Sequence, residues 1–173
     1  SPLQKGHLTT RENVQIHHVL LDETPELMRL LGDVGLSTRE ACGNTVRNVV
    51  APPTAGVSHD EVFDVTPYAA AYARYFLRHP TTQNMPRKSK TAFSGSERDE
   101  SMTPIHDVGF IARVKNGKKG FKIVVGGGLS IMPRMADTLE EFVLVEDYIK
   151  YAEAALRIFN RSDEERKNLM KAR

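Results

Sequence analysis

The chain has 173 residues, of which 40% are hydrophobic and 27% are charged, and its formal net charge is +2 at pH 7. This composition is typical of a soluble globular protein, and the small net charge gives no electrostatic argument for nucleic-acid binding. With no apolar run of 18 or more residues and a single cysteine, Cys42, the sequence predicts no membrane span, no disulfide framework and no cysteine-based metal site of its own. We therefore expect a cytoplasmic protein with neither a membrane nor a nucleic-acid partner.

The first predicted elements are a strand and a helix that packs on it. Polar and apolar residues alternate from Arg11 to Ile16, which predicts a strand with Arg11 on its polar face. Thr24 and Pro25 then predict the start of a helix, as its N-cap and first helical residue, and Gly35 marks its end.

A β-branched run from Gly43 to Ala51 predicts a buried strand with Arg47 inside it, between apolar residues. An arginine in that position must reach solvent, pair with a carboxylate or bind an anion, and a structural salt bridge is the simplest of these. After the strand, residues 68–79 predict a helix with a buried apolar stripe. The stripe consists of Ala69, Tyr72, Ala73 and Phe76.

The segment from Pro86 to Gly95 predicts a short central strand. Side chains alternate along a strand, so Lys88 and Lys90 would project from one face about 7 Å apart. Two neighbouring ammonium groups repel each other unless an anion lies between them. For this segment alone, an edge strand with solvated lysines is the simpler interpretation.

Two strands, residues 107–115 and 120–125, predict an antiparallel hairpin because Asn116-Gly117 lies between them. The second strand runs into three glycines, Gly126, Gly127 and Gly128. Glycines allow the backbone to approach a ligand and to direct N–H groups at an anion, although a loose turn explains them equally well.

Apolar residues at helical spacing from Thr138 to Ala172 predict two helices. Leu139, Phe142 and Val143 belong to the first, and Ser162 would cap the second. Together the elements predict an α+β fold with a mixed, largely antiparallel sheet flanked by helices.

Four basic residues lie on predicted strands: Arg11, Arg47, Lys88 and Lys90. Buried cations without partners are costly, so cations that converge imply an anion site. The guanidinium group grips an oxyanion with two parallel hydrogen bonds, and the ammonium group is a compact charge that carries protons. The sequence therefore predicts an electropositive anion pocket with the triple glycine at its edge.

Four segments, in this order, resemble motifs of the sirohaem-dependent nitrite/sulfite reductase family, and the similarity runs through essentially the whole chain. They are TTRENVQ (9–15), GNTVRNV (43–49), PRKSK (86–90) and GGGL (126–129). The resemblance implies that Arg11, Arg47, Lys88 and Lys90 surround the substrate anion above the sirohaem iron and take part in catalysis. It implies cofactor-binding roles for Asn44, Thr45, Arg87, Thr91, Gly126, Gly127 and Gly128.

The same resemblance implies an oxidoreductase of sulfur or nitrogen assimilation with sirohaem and a 4Fe–4S cluster. Such an enzyme reduces sulfite to sulfide, or nitrite to ammonia, with six electrons from a donor such as ferredoxin or a flavoprotein. The four cysteines that hold the cluster in the family have no counterpart here, and Cys42 does not match any of them. We therefore expect a fragment whose cluster ligands lie outside this chain and which is inactive alone.

Domain boundaries also follow from the resemblance. Residues 1–36 would be the end of a ferredoxin-like half domain, and residues 37–173 an incomplete domain that binds sirohaem and substrate. Two residues depart from the family pattern: Ser89 replaces a bulky residue between the lysines, and Pro52 stands where a cysteine or small residue is usual. A second hypothesis stays open, namely a non-catalytic module that uses the same basic pocket for an anionic ligand or an acidic partner protein.

Overall fold

The computed structural model describes residues 3–162, and the chain divides into two compact units, Ser1–Ala41 and Cys42–Arg173. The N-terminal unit contains two short antiparallel strands, β1 (Gly6–Leu8) and β2 (Val14–Ile16), and one helix, α1 (Thr24–Asp33). A 3-10 turn leads into α1, so Thr24 is its first residue and the N-cap is Glu23 rather than Thr24 as predicted.

Arg11 lies in the turn between β1 and β2, and the prediction that it lies on a strand is wrong. The hydroxyl of Thr9 accepts hydrogen bonds from the backbone N–H groups of Arg11 and Asn13, at 3.3 and 3.2 Å. A threonine side chain that satisfies nearby N–H groups offers the backbone an alternative to a sheet ladder. The alternation of polar and apolar residues from Arg11 to Ile16 therefore includes part of a turn, which these local hydrogen bonds stabilise, and the strand begins only at Val14.

The C-terminal unit is built on a five-stranded sheet in the order β3-β4-β5-β6-β7. Strands β3, β4 and β5 run parallel, whereas β5, β6 and β7 pair antiparallel. The strands are β3 (Val46–Val50), β4 (Ser89–Ser94), β5 (Val108–Lys115), β6 (Lys118–Val125) and β7 (Asp137–Leu144). Two helices flank the sheet, α2 (Thr66–Phe76) and α3 (Tyr148–Arg161). The predicted α+β class with a mixed sheet is confirmed.

The hairpin of β5 and β6 forms as predicted. Lys115 pairs with Lys118, so the loop between them has two residues. Asn116 and Gly117 have φ values of +52° and +72°. Two left-handed residues give the turn the twist that matches the flanking strands, which explains the strength of the Asn-Gly signal.

Residues 137–144 form β7, so the prediction of a helix beginning at Thr138 is wrong. Their apolar side chains fit a helical spacing, but their pairing with β6 runs from Gly120↔Leu144 to Val125↔Asp137. An unpaired β6 would expose a row of backbone N–H and C=O groups, and this tertiary demand overrides local propensity. The first C-terminal helix begins at Tyr148, and the helix predicted after Ser162 lies outside the described residues.

An aromatic core fills the space between one face of the sheet and the two helices. Phe93 of β4 and Phe110 of β5 stack with ring centroids 4.6 Å apart, and Tyr72 of α2 meets both edge-on at 5.7 and 5.6 Å. Of the predicted α2 stripe, Ala69, Tyr72 and Phe76 are buried but Ala73 is exposed. Within residues 3–162, no helix is long and apolar enough to cross a membrane.

The opposite face of the sheet is covered by the segment between β4 and β5. Thr103 lies against Gly109, where a Cβ atom would come within 2.7 Å of the threonine Cβ. The carboxylate of Asp99 holds this segment by accepting two 2.8 Å hydrogen bonds from Thr103, one from its N–H and one from its hydroxyl. Both faces of β4 are therefore buried along most of the strand.

Helices α2 and α3 are joined by polar contacts to Glu153. The Tyr75 hydroxyl donates a 2.6 Å hydrogen bond to this carboxylate, and a guanidinium nitrogen of Arg157 lies 2.6 Å from it. The hydrogen bond from Tyr75, with the charge of Arg157, holds the pKa of Glu153 below its usual value. A carboxyl group with a lower pKa when folded adds stability above its unfolded pKa of about 4.3, and this contribution is lost as the pH falls through the folded pKa.

We expect Glu153→Gln to flatten the acid side of the stability profile. Wild-type protein should lose free energy of unfolding more steeply than the variant as the pH falls from about 5.5 to about 3.5. Urea unfolding at several pH values measures this difference. Glu146→Gln, which changes an exposed carboxylate near the start of α3, is the matched control and should follow the wild type; parallel curves for Glu153→Gln would contradict the assignment.

Candidate functional site

Backbone hydrogen bonds hold two of the predicted binding segments side by side in the C-terminal unit. The N–H of Met85 donates to the carbonyl of Asn44 at 2.9 Å, and the N–H of Ser89 donates to the carbonyl of Thr45 at 3.0 Å. The Asn44 amide group adds a 3.4 Å hydrogen bond to the carbonyl of Pro86. The Gly-Asn-Thr and Pro-Arg-Lys segments therefore form one continuous structure at the start of β3 and β4.

An irregularity in the pairing of β3 with β4 determines which way Arg47 faces. Val46 pairs with Ser89 and Val49 pairs with Thr91, so two residues of β3 oppose the single residue Lys90. Val46 belongs to the aromatic core and Val49 packs against it. Regular alternation would send these two valines to opposite faces, and a β-bulge with one extra residue reconciles them.

The bulge leaves Arg47 and Asn48 opposite Lys90, away from the aromatic core. The Arg47 side chain is partly held by a 2.9 Å hydrogen bond from Nε to the carbonyl of Gly43. Gly43 has a φ of +91°, a conformation that favours glycine and turns its carbonyl toward the arginine. Arg47 is thus anchored through Nε within the chain.

Lys88 lies directly before β4 and two positions from Lys90, so alternation places both on the side of the sheet that faces away from the aromatic core. Both side chains are partly exposed. We call Arg47, Lys88 and Lys90 the basic face. Arg87, also predicted to bind the cofactor, is exposed next to it.

The two remaining residues of β4 near the basic face are buried. Ser89 is 2% exposed and pairs with Val46, which explains why a small residue fits between the two lysines. Thr91 is wholly buried and its hydroxyl donates to the Tyr72 hydroxyl at 3.2 Å. The structure therefore places Thr91 in the aromatic core, not on the side of the sheet where a ligand would meet Lys90.

The triple glycine is a closely packed turn rather than a loose one. The N–H groups of Gly126 and Gly127 donate to the carbonyls of Asp107 and His106, at 2.9 and 3.0 Å, and Gly128 exchanges two 2.9 Å hydrogen bonds with Arg134. These N–H groups are used within the chain, so the expectation that they point at an anion is wrong. What the turn presents to a ligand is backbone without side chains.

Asp107 joins the triple-glycine turn to the lysine strand. Its backbone carbonyl accepts the N–H of Gly126 at 2.9 Å, and its carboxylate accepts the N–H of Lys90 at 2.7 Å. Sequence reasoning missed this residue. The available signal was an aspartate directly before a β-branched strand, because short acidic side chains commonly satisfy backbone N–H groups that a ladder leaves unpaired.

The structure therefore brings together most of the predicted site residues of the C-terminal unit. Asn44, Thr45 and Arg47 adjoin the two lysines, and Asp107 connects Lys90 to the glycine turn. Thr45 is buried and its hydroxyl has no hydrogen-bond partner among the described residues. Arg11 belongs to the N-terminal unit, and its role stays a prediction.

Adjacent glycines of the turn should tolerate alanine differently. A Cβ at Gly127 would lie 2.1 Å from the carbonyl oxygen of Pro104, whereas a Cβ at Gly126 would meet open space but at a φ of +86°. We expect Gly126→Ala to cost about 1–2 kcal/mol from backbone strain and Gly127→Ala about 3 kcal/mol or more from the clash. Urea denaturation measures both; an equal or smaller loss for Gly127→Ala would contradict the close packing.

Comparison with known proteins supports the resemblance seen in the motifs. The sequence profile described as "Nitrite and sulphite reductase 4Fe-4S domain" matches residues 42–173. The chain is 38% identical over 154 residues to "Sulfite reductase [ferredoxin] 1" of Mycolicibacterium paratuberculosis, a match that covers 88% of this chain and 27% of that protein. It is 33% identical over 157 residues to the chloroplastic ferredoxin–nitrite reductase of Spinacia oleracea, covering 88% of this chain and 26% of that protein.

Solved structures agree with the sequence matches. The NirA protein of Mycobacterium tuberculosis superposes with a TM-score of 0.87 at 36% identity, covering 97% of this chain and 30% of that one. Dissimilatory sulfite reductase I gives a TM-score of 0.71 at 11% identity, covering 87% of this chain and 54% of that one, and so shows the fold alone. The chain spans about a quarter of the length of the curated relatives it matches. By its motifs, its fold and these matches, the chain belongs to the nitrite and sulfite reductase family.

Proposed function

We propose that the chain supplies the basic anion pocket of an enzyme that reduces sulfite to sulfide, or nitrite to ammonia, by six electrons. The observation that carries the proposal is the bulged pairing of β3 with β4, which sets Arg47 opposite Lys90 on the side of the sheet away from the core. Lys88, two positions earlier, adds a third cation to the same side. Relatives named as sulfite and nitrite reductases support this substrate class.

The basic face suits a small oxyanion by charge and by hydrogen-bonding geometry. The Nε–H of Arg47 donates to the Gly43 carbonyl, which fixes the position of a planar guanidinium group whose fork matches the oxygens of an oxyanion. The two lysines add compact positive charges that polarise the bonds to oxygen and stabilise the charge that develops on a departing oxygen. An ammonium group within reach of that oxygen also acts as a general acid, which supplies the proton for the departure of water.

Residues around the basic face fit a flat cofactor that carries carboxylates. The buried hydroxyl of Thr45 lacks a hydrogen-bond partner among the described residues, and buried polar groups normally have one. The glycine turn offers backbone without side chains, and Arg87 offers an exposed cation. We infer that Asn44, Thr45, Arg87 and Gly126–Gly128 would hold sirohaem, which when bound supplies the iron through which electrons reach the substrate.

The residues of this chain cannot by themselves hold the 4Fe–4S cluster that the family resemblance implies. A 4Fe–4S cluster takes four cysteine ligands, and this chain has one cysteine, Cys42. At least three of the four ligands of such a cluster would therefore have to come from outside this chain. As the electron donor we propose ferredoxin, in line with the names of the relatives.

Protection of the lysines from acylation tests whether the pocket is formed in this chain. We expect saturating sulfite, nitrite or phosphate to slow acylation of Lys88 and Lys90 by at least about fivefold, because a bound anion blocks access and holds the ammonium form. Peptide mass spectrometry gives the rate for each lysine. Lys115 and Lys118, exposed at the tip of the hairpin, serve as internal controls and should react at unchanged rates.

Arg47→Gln should remove the protection, measured as the ratio of the acylation rates with and without anion in the same variant. Equal acylation of Lys88 and Lys90 with and without anion would show that this chain has no preformed anion pocket. Protection that persists fully in Arg47→Gln would show that the lysines bind anions without the arginine and would overturn the arrangement proposed from the bulge.

A further inference from the structure

The backbone of Lys90 lies one residue before the point where β4 begins to pair with β5. N–H groups of a strand point alternately to its two neighbours, and the N–H of Ser89 points to β3, where it meets the carbonyl of Thr45 at 3.0 Å. The N–H of Lys90 consequently points toward β5. The pairing of β4 with β5 begins only at Thr91↔Val108, one residue later.

The Asp107 side chain occupies the place of the missing ladder partner. Its carboxylate accepts the Lys90 N–H at 2.7 Å, the length of a charge-assisted hydrogen bond. On the other side of Lys90 the β-bulge interrupts the pairing with β3. The backbone of Lys90 is therefore fixed toward β5 by a side chain, at the residue whose ammonium group belongs to the basic face.

The same residue also fixes the glycine turn through its main chain. The Asp107 carbonyl accepts the Gly126 N–H at 2.9 Å, and the following residues pair as Val108↔Val125. A shift of Asp107 would therefore move the lysine strand and the turn together.

We propose that Asp107 is a positioning residue of the anion site, which holds Lys90 and the glycine turn in one fixed geometry. The inference rests on the proposed function for its consequence, since a displaced Lys90 matters only if it binds the anion. The carboxylate of Asp107 contacts the backbone of Lys90, and the proposed role requires no contact between Asp107 and the anion. Its carboxylate acts as a hydrogen-bond acceptor, so an isosteric amide with an oxygen in the same place should largely replace it.

Amide hydrogen exchange of the folded 173-residue chain, followed by NMR, tests the geometry without any ligand. We expect Asp107→Ala to speed exchange at Lys90 by about 10- to 100-fold and at Gly126 by about threefold or more, relative to Val143 in β7. Referring both rates to Val143 separates local loosening from a general loss of stability. Asp107→Asn should change the Lys90 ratio by about threefold or less, because the amide oxygen still accepts the hydrogen bond.

Anion protection of Lys90 in the same variants tests the consequence. Protection by phosphate should be lost in Asp107→Ala and retained in Asp107→Asn. Asp60→Ala, which removes an exposed carboxylate that contacts Arg98, is the control and should match the wild type. Should Asp107→Ala fail to fold, Asp107→Ser gives the same comparison, since its hydroxyl is too short to span the distance that the carboxylate spans.

The outcomes separate this inference from the proposed function. If the wild-type lysines show no anion protection, the proposed function fails, while the exchange ratios still decide the role of Asp107. If the Lys90 exchange ratio is unchanged in Asp107→Ala, the positioning role is wrong whatever the anion does. Equal effects of Asp107→Asn and Asp107→Ala would also overturn it, because they would show that the charge and not the hydrogen bond matters.

Discussion

The β-bulge at Arg47 and Asn48 is the constraint on which the site depends. Two valines three positions apart, Val46 and Val49, both contact the aromatic core, and a regular strand cannot bury both on one face. The extra residue that solves this packing problem turns Arg47 to the side of Lys90. Packing of the two valines in the core thus determines the side on which Arg47 lies, which links the stability of the sheet to the proposed anion pocket on its other face.

Around this bulge the site is held by hydrogen bonds that fix its backbone. Asn44 and Thr45 pair with the segment that leads into β4, and Asp107 joins Lys90 to Gly126. Such contacts restrict the positions of the cations before any anion arrives. A binding site that is ordered in advance loses less free energy on binding and favours catalysis through a fixed electrostatic environment.

Sequence patterns were sufficient where one local signal determines the structure. The turn at Asn116 and Gly117 follows from the left-handed backbone that these residues adopt readily, and the stripe of Tyr72 and Phe76 follows from helical spacing. Local patterns gave a wrong prediction where pairing with a distant strand determines the structure. Residues 137–144 have helical spacing but complete the sheet, because the edge of β6 needs a partner.

The orientation of the site residues was the hardest to predict. Alternation correctly separates Lys90 from Thr91, but it gives no indication that a bulge shifts the register at Arg47. The family resemblance implies a cofactor-binding role for Thr91, whereas its hydroxyl lies in the core and donates to the Tyr72 hydroxyl. The sequence did not indicate the role of Asp107, because that role depends on where the pairing of β4 with β5 begins. The start of this pairing is a property of the folded sheet and not of the residues around Asp107.

A double-mutant cycle on Arg47 and Lys90 in the proposed sulfite or nitrite reductase tests the central claim most directly. We expect Arg47→Met and Lys90→Met each to lower kcat/KM for sulfite or nitrite by about 10²- to 10⁴-fold with the sirohaem absorption retained. The double variant should lose less than the product of the two effects, because both side chains hold one anion. Wild-type kcat/KM in either single variant, or fully multiplicative losses, would contradict a shared anion site.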